Sequence, residues 1–280
     1  MKKSLSLELC RLFHSKALYI AILIGCFFSV WLLHDQLAET KQYTMLIEQN
    51  GTIKEGLYYP DSVFNHFIGL DYWHKQPQTL YLLFPVLTSI PYASSYCTDK
   101  KSGYLKNLLT KEKRCVYYAS KYVAVFFSGF ITVFSILIFS LLITMMFYPL
   151  LPPEAITASF PASLGNSMFK KLFINHPMIY TLLYIVIDST FFGAIAIISM
   201  VVGMITDYSF VSLVSGTILY YSFSLVVTEL KLYTHNPAVY LVPYQPYSNI
   251  SIITVVLHML IVLTVCAVCF FIKEAKKDVL

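Results

Sequence analysis

Six long apolar stretches, separated by polar segments, set the pattern of this chain. A helix rises 1.5 Å per residue, so about 20 apolar residues cross the roughly 30 Å hydrocarbon core of a membrane. Of all residues, 57% are hydrophobic and only 12% are charged, whereas a soluble domain has about 25% charged residues. We therefore predict an all-α membrane protein with a single transmembrane domain over residues 1–280. The predicted spans are 17–33, 79–97, 122–148, 178–205, 209–228 and 252–272.

Positive charges divide unevenly between the two sides that these spans define. Fourteen of the 20 Lys and Arg residues fall in residues 1–16, in residues 98–121 and after the last span. Cytoplasmic segments are enriched in these residues, so we expect both termini inside and residues 34–78 as an outer loop. We expect a multi-pass membrane protein, with a tight inner turn at 206–208. The net charge of +5 is modest and does not suggest a nucleic-acid partner.

The inner segment 98–121 carries seven cations and is predicted to contain a short amphipathic helix over residues 102–110. Ser102 is the expected N-cap. The apolar face consists of Leu105, Leu108 and Leu109. Basic residues beside such a face bind anionic lipid headgroups, which accounts for the charge. That reading does not explain why a loop between two spans should contain a separate helix.

A second surface helix is predicted before the first span, over residues 5–14. Its apolar face consists of Leu5, Leu9, Leu12 and Phe13. Glu8 and Arg11 lie off that face. We expect this interfacial helix to lie along the inner membrane surface. Together the two helices could dock a cytoplasmic partner.

The inner segment resembles the type-2 ABC exporter permeases, which are membrane subunits that work with a separate ATPase. The residues that carry the resemblance are Asp99, Ser102, Gly103, Leu105, Leu108, Leu109, Arg114 and Lys121. They are similar to the family's acidic residue, small-Thr-Leu, Leu-Leu, Arg and later Lys pattern between helices two and three. Tyr104 stands where Thr is usual, and Lys111 and Glu112 replace a common proline. The six spans and the N-terminal helix extend the resemblance over nearly the whole chain.

This resemblance implies a function and a set of partners. The chain would form half of the pathway for an amphipathic peptide or lipid-like substrate, in a homo- or heterodimer with a second permease subunit. A cytoplasmic subunit would bind ATP and Mg²⁺, since this chain has no G-x-x-x-x-G-K-[ST] loop. Contacts to that subunit are expected from Ser102, Gly103, Leu105, Leu108, Leu109 and Arg114. Residues alone do not separate export from import.

Several polar residues within the spans are candidates for the substrate pathway. They are Thr88, Tyr92, Ser95, Asp188, Ser212, Ser215, Ser222 and Glu229. Helix packing is the alternative for the Ser and Thr hydroxyls, and Glu229 marks either an exit gate or the membrane boundary. Asp188 is the only acid deep in a span, where a carboxyl binds a substrate amine, carries a proton or hydrogen-bonds a neighbouring helix.

The outer segments leave two questions open. Residues 229–251 are apolar but contain three prolines, so they either re-enter the membrane or pack on the helix ends. His66, Asp71 and His74 fit either a weak metal site or an aromatic interface anchor. The alternative function is a non-transporting immunity or sensor protein whose outer loop binds a peptide and whose basic segment binds lipid.

Catalytic and disulfide chemistry have no clear pattern in this chain. Neither H-E-x-x-H nor G-x-S-x-G occurs, and we expect no enzyme activity in this subunit. None of the six cysteines falls in a predicted outer loop, so no disulfide framework is expected. Cys266 and Cys269 are assigned to helix packing.

Overall fold

The computed structural model describes residues 2–50, 61–71, 73–110, 113–153, 167–243, 245 and 250–275, and every regular element in these ranges is helical. The α-helices are α1 Lys2–Phe13, α2 Lys16–Asn50, α3 Val63–His66, α4 Lys75–Ser89, α5 Ser95–Lys101, α6 Tyr104–Leu109, α7 Arg114–Phe147, α8 Lys170–Asn175, α9 Pro177–Thr206, α10 Ser209–Glu229, α11 Pro237–Tyr240 and α12 Ile252–Ala275. Within the described ranges, five helices are long and apolar enough to cross a membrane: α2, α7, α9, α10 and α12. The all-α membrane fold is therefore confirmed at this level, and these five helices coincide with five predicted spans.

The predicted second span, 79–97, is not one continuous helix. α4 ends at Ser89, residues 90–94 form a turn, and α5 begins at Ser95. Pro91 has no backbone N–H to continue the helical ladder, which accounts for the break. At 1.5 Å per residue, α4 alone is shorter than the hydrocarbon core.

Two spanning helices are longer than predicted. α2 continues to Asn50, well past the expected end at residue 33, because the residues that follow include the strong helix formers Leu37, Ala38 and Glu39. α7 begins at Arg114, about two turns before the expected start at residue 122. The hydrophobic pattern marks where a helix is apolar, whereas the helix itself continues until the backbone is interrupted.

α9 is the central helix and is buried along most of its length. It packs most closely against α7, where a Cβ placed on Gly129 would lie 3.0 Å from the Cα of Gly193 and 2.9 Å from the Cβ of Ala196. Small residues allow membrane helices to approach in this way. At its C-terminal end, Asp207 adopts a left-handed conformation and α10 begins at Ser209. The predicted tight turn at 206–208 is therefore confirmed.

α1 and α5–α6 lie at one end of the helical bundle, which we call the α1 end. Here Ser15 donates a hydrogen bond to the carbonyl of Pro91, and Lys100 pairs with Asp207 at 2.6 Å. α3 and the first turn of α4 lie at the opposite end, where Gln36 of α2 donates to the carboxylate of Asp71. By the charge distribution, the α1 end is the predicted cytoplasmic side.

Candidate functional site

The segment between α4 and α7 forms two short helices with a sharp break between them. Gly103 occupies the left-handed region, with φ of 74°, and its N–H bonds the carbonyl of Lys100. Ser102 closes the end of α5, where its hydroxyl donates to the carbonyl of Asp99 at 3.3 Å. The prediction that Ser102 caps α6 is therefore wrong, because the N-cap position belongs to Gly103.

A buried ammonium group joins three separate elements at the α1 end. Lys121 lies two turns into α7 and is completely buried. Its Nζ donates to Glu8 of α1 at 2.9 Å and to Asp99 of α5 at 2.7 Å. Both carboxylate side chains are at most 3% exposed. Lys121 is therefore not part of a solvated basic stretch, as the charge pattern predicted, but links α1, α5 and α7.

Arg11 completes this group, which we call the charge cluster: Glu8, Arg11, Asp99 and Lys121. The Arg11 guanidinium donates to Asp99 at 2.6 and 3.3 Å and to Glu8 at 3.2 Å. Two cations thus face two carboxylates, so the cluster has no net charge. Buried charges are tolerated when they are paired and hydrogen-bonded in this way.

Tyrosine side chains surround the charge cluster and satisfy its remaining acceptors. Tyr92 donates to Glu8 at 2.6 Å, and Tyr117 donates to Asp99 at 3.0 Å. The Lys121 ammonium lies 4.6 Å from the centre of the Tyr92 ring, which favours a cation–π interaction. Arg11 lies 4.7 Å over the ring of Tyr104. The Tyr that departs from the family pattern at position 104 therefore has a local role.

The two cations of the cluster favour the ionised form of Asp99. Burial alone would raise the pKa of Asp99, but hydrogen bonds and charge interactions with Arg11 and Lys121 outweigh burial and hold that pKa below its ordinary value. The hydrogen bond to Asp99 raises the pKa of Arg11 despite its partial burial. Neutralising either carboxylate would leave two cations facing a single carboxylate.

The prediction for the N-terminal helix requires a correction. Its buried face carries Ser4, Glu8 and Leu12, whereas Phe13, placed on the apolar face by its spacing, is 46% exposed. The reason is the charge cluster, because Lys121 and Arg11 provide cationic partners that offset the cost of burying Glu8. Sequence periodicity assumes that charged side chains face water, and it missed Glu8 and Arg11 for that reason. The one sequence signal for a buried charge cluster was the position of two acids and one base, Glu8, Asp99 and Lys121, close to the ends of apolar stretches.

The predicted coupling residues lie on both faces of α6. Leu105 is buried, and Leu108 and Leu109 pack against the same apolar cluster at the α1 end. Gly103 is half-buried, whereas Ser102 and Arg114 are exposed. Lys106 and Asn107, which we call the α6 tip, are also exposed. α6 therefore has one anchored face and one polar face, whereas Lys111 and Glu112 lie outside the described residues.

The predicted pathway residues do not form one continuous surface in this chain. Tyr92 belongs to the charge cluster, and Thr88 and Ser95 bond backbone carbonyls of their own segment. Ser222 and Glu229 are exposed on the C-terminal half of α10.

Two pathway candidates on α10 are buried. Ser212 donates to the carbonyls of Ala93 at 2.7 Å and Ser199 at 3.1 Å, which fits the packing alternative. Ser215 is 7% exposed, and its hydroxyl has no hydrogen-bond partner within the described ranges.

Asp188 lies in the middle of α9 and is 1% exposed. Its Oδ2 accepts a hydrogen bond of 2.6 Å from the Tyr81 hydroxyl of α4. Tyr81 thus provides the predicted hydrogen bond to a neighbouring helix. The other carboxyl oxygen, Oδ1, has no hydrogen-bond partner among the described residues.

At the opposite end, His74 and Asp71 form an ion pair with 2.6 Å between Nδ1 and Oδ2, and the backbone N–H groups of Trp73 and His74 donate to the other oxygen. The hydrogen bond to Asp71 raises the pKa of His74 to about 9. His66 instead contacts Asp61 and stacks on Tyr148. Among the described residues, no group of three or more His, Cys, Asp or Glu side chains is placed to hold a metal ion. His66 and the Asp71–His74 pair therefore form separate local contacts.

No family model, curated protein or solved structure matches this chain.

Proposed function

We propose that this chain is the permease subunit of an ATP-driven ABC exporter in a bacterial plasma membrane. A separate cytoplasmic subunit would bind and hydrolyse ATP, and a second permease subunit would complete the pathway for an amphipathic peptide or lipid-like substrate. The observation that carries the proposal is the charge cluster, which fastens α5, the short helix that precedes α6, to α1 and α7.

The charge cluster supports a mechanical role for α6. A helix that only rests on lipid needs basic residues and an apolar face, and it gains nothing from internal ion pairs. Here only Ser102 and Gly103 separate α6 from α5. Asp99 of α5 is fixed to α7 by Lys121 and to α1 by Arg11. The buried side chain of Leu105 anchors α6 to the apolar cluster at the α1 end. A force applied at the α6 tip would therefore move α1 and α7 together.

The proposed mechanism is a shift between two packed arrangements of the bundle. Closing of the partner ATPase on nucleotide would displace the α6 tip, and the charge cluster would carry that displacement to α7 and to its close contact with α9. Nucleotide drives such a shift only as far as it binds one arrangement more tightly. In this proposal α4, the turn at 90–94 and α5 together serve as the second of six spans. The buried Ser89 and Ser199 hydroxyls, 2.7 Å apart, would satisfy polar groups near that break.

The test is purification of the tagged chain from its native membrane in a mild detergent, with identification of bound proteins and an ATPase assay. We expect a stoichiometric soluble subunit with a phosphate-binding loop, and ATP hydrolysis by the complex. Lys106→Glu reverses the charge of the exposed α6 tip without disturbing the cluster, and it should reduce copurification or hydrolysis at least tenfold. Lys171→Glu is the matched control, because Lys171 is an exposed lysine at the opposite end.

Two results would contradict the proposal. One is recovery of the folded chain without any ATPase in several mild detergents. The other is an equal effect of Lys106→Glu and Lys171→Glu. In the first case, ligand binding that follows the outer loop when residues 34–78 are exchanged would favour the immunity or sensor alternative.

A further inference from the structure

The chain has two tryptophans, Trp31 and Trp73, and both line one cavity at the end of the bundle opposite α1. The cavity has a volume of about 340 Å³ and lies between α2 and the start of α4. Asp35 also lines it, one helical turn after Trp31 and therefore on the same face of α2. The two tryptophans are 47% and 66% exposed, and the Asp35 side chain is 38% exposed, so a ligand reaches all three.

We propose that this cavity binds a quaternary ammonium group, with the two indoles as aromatic walls and Asp35 as the counter-charge. A cation is attracted to the face of an aromatic ring, and indole is the best protein side chain for this contact. Asp35 is itself part of the wall, so its carboxylate acts on the bound cation directly. The site goes beyond the proposed permease function and does not depend on it.

The contacts of Asp35 favour a quaternary over a primary ammonium. Its Oδ2 accepts a hydrogen bond from the Gln76 amide, and its Oδ1 lies 3.3 Å from Nδ1 of His34. Each oxygen thus already has a polar neighbour, and the carboxylate offers negative charge more than open acceptor positions. A primary ammonium carries three N–H donors that need acceptors. A quaternary ammonium has none and needs only aromatic faces and a negative charge.

The charges around the cavity favour a cation. His74 lines the wall, with its Nδ1 2.6 Å from Asp71 and its Nε2 3.2 Å from Glu39. The hydrogen bond to Asp71 raises the pKa of His74 to about 9, so this imidazole is protonated at neutral pH and is balanced by two acids. Lys75 also lines the cavity and is exposed. With Asp35, three carboxylates therefore face two cations.

The start of α4 forms part of the same wall, and a helix N-terminus by itself favours anions. Asp71 supplies that anion from within the chain. Its Oδ1 accepts hydrogen bonds from the backbone N–H groups of Trp73 and His74. The positive end of α4 is therefore already matched, which leaves Asp35 to face the ligand.

Intrinsic fluorescence reports on this site directly, because both tryptophans of the chain line the cavity. The experiment titrates the purified full-length chain in a maltoside detergent with choline. Neohexyl alcohol, in which carbon replaces the choline nitrogen, is the uncharged probe of the same shape. We expect a saturable fluorescence change with choline and at least about tenfold weaker binding of the alcohol. Tryptophans that serve only as membrane-interface anchors would not distinguish the two molecules, so equal responses would overturn the site.

Two variants test the sign of the charge effect. Asp35→Asn keeps the size of the side chain and an acceptor for Gln76 but removes the charge, so choline should bind about tenfold more weakly. Lys75→Gln removes the opposing cation, so choline should bind about two- to fivefold more tightly. Glu229→Gln, at an exposed acid outside the cavity, is the matched control and should stay within about twofold of the wild type.

A third variant tests the aromatic wall. Trp73→Phe replaces indole with a weaker cation–π partner and should weaken choline binding about two- to fivefold, with Trp31 as the remaining reporter. Unchanged choline affinity in either charge variant would overturn the site. Lys75 is exposed, so Lys75→Gln keeps this test available if Asp35→Asn does not fold.

A second arm identifies the source of the quaternary ammonium. The chain is placed in phosphatidylglycerol nanodiscs with or without phosphatidylcholine. Saturation by choline in detergent indicates a soluble ligand, whereas a fluorescence change that requires phosphatidylcholine and is lost in Asp35→Asn indicates a lipid headgroup. No response in either arm would overturn the site. Neither arm involves the ATPase, so failure of this site and failure of the exporter proposal can be told apart.

Discussion

Replacing Lys121 with methionine removes the one ammonium that contacts both Glu8 and Asp99. Methionine keeps much of the volume and the apolar stem, so the change acts mainly on charge. The variant leaves two buried carboxylates with only Arg11 to balance them. We expect this substitution to destabilise the α1 end severely.

The magnitude follows from the geometry of the two ion pairs. At 2.7 and 2.9 Å and an effective dielectric constant of about 20, each pair attracts by about 6 kcal/mol before desolvation is counted. Desolvation of the buried groups cancels much of that attraction. Removing one partner still costs about 3–5 kcal/mol, because the remaining charge stays buried. At about 2–4 °C per kcal/mol, the expected loss in Tm is about 6–20 °C.

Lys100→Met is the matched control for this measurement. Lys100 also makes a short ion pair, 2.6 Å from Asp207, but the two side chains are 36% and 48% exposed. Exposed pairs contribute about 0–1 kcal/mol, so its Tm should fall by less than about 4 °C. The assay is thermal unfolding of both purified variants in the same detergent and at pH 7.

A double variant separates lost charge from lost packing. Asp99→Asn added to Lys121→Met leaves Glu8 paired with Arg11 and restores a neutral cluster. The double variant should therefore be about 0.5–3 kcal/mol more stable than the sum of the single effects predicts. Equal Tm values for Lys121→Met and Lys100→Met would refute the reasoning, as would strict additivity in the double variant.

Three further predictions concern other parts of the molecule. Folding raises the pKa of His74 from about 6.5 to about 9, so the stability that His74 contributes is complete below pH 6.5 and is lost as pH rises to 9. The fall in Tm between pH 6.5 and 9 should therefore be smaller in His74→Gln than in the wild type. It should be unchanged in the control His34→Gln, because the His34 side chain is 81% exposed. Gly193→Val should lower the free energy of chemical unfolding by about 1–3 kcal/mol, since a Cβ at this position would lie 3.0 Å from the carbonyl oxygen of Phe126. A decrease of less than about 0.5 kcal/mol would contradict the close packing of α7 and α9. Ser212→Ala should cost about 0.6–1.7 kcal/mol, because its hydroxyl is shared between the carbonyl of Ala93 in the turn at 90–94 and that of Ser199 in α9. Thr264→Ala loses only bonding within α12 and should stay within about 0.5 kcal/mol of the wild type in the same unfolding measurement.

Much of the fold was accessible from hydrophobic pattern alone. The five spanning helices, the turn before Ser209 and the buried position of Leu105 all follow from local sequence, because an apolar face or an apolar stretch has a fixed spacing in a helix. The ends of α2 and α7 were less accessible, since a polar sequence with good helix formers continues a helix without any hydrophobic signal. The break after Ser89 has a visible cause in Pro91, but proline is also tolerated in spanning helices when neighbours satisfy the freed backbone groups.

The charge cluster could not be assembled from the sequence. Glu8, Asp99 and Lys121 are distant in the chain, and each has an ordinary solvated interpretation next to its own neighbours. Only the packing of α1 against α5 and α7 shows that the three charges meet. The same limit applies to Asp188, whose partner Tyr81 is 107 positions away. Buried polar networks depend on long-range contacts, so periodicity identifies their members at best one at a time.

The most direct test of the coupling role is a photo-crosslink from the α6 tip in the native membrane. A photoreactive amino acid replaces Asn107, which is exposed, and the matched position is Lys171 at the opposite end. The account predicts a crosslink from position 107 to a soluble protein with a phosphate-binding loop, and none to that protein from position 171. Crosslinks from position 107 to lipid alone would contradict the account and leave α6 as a lipid-surface anchor.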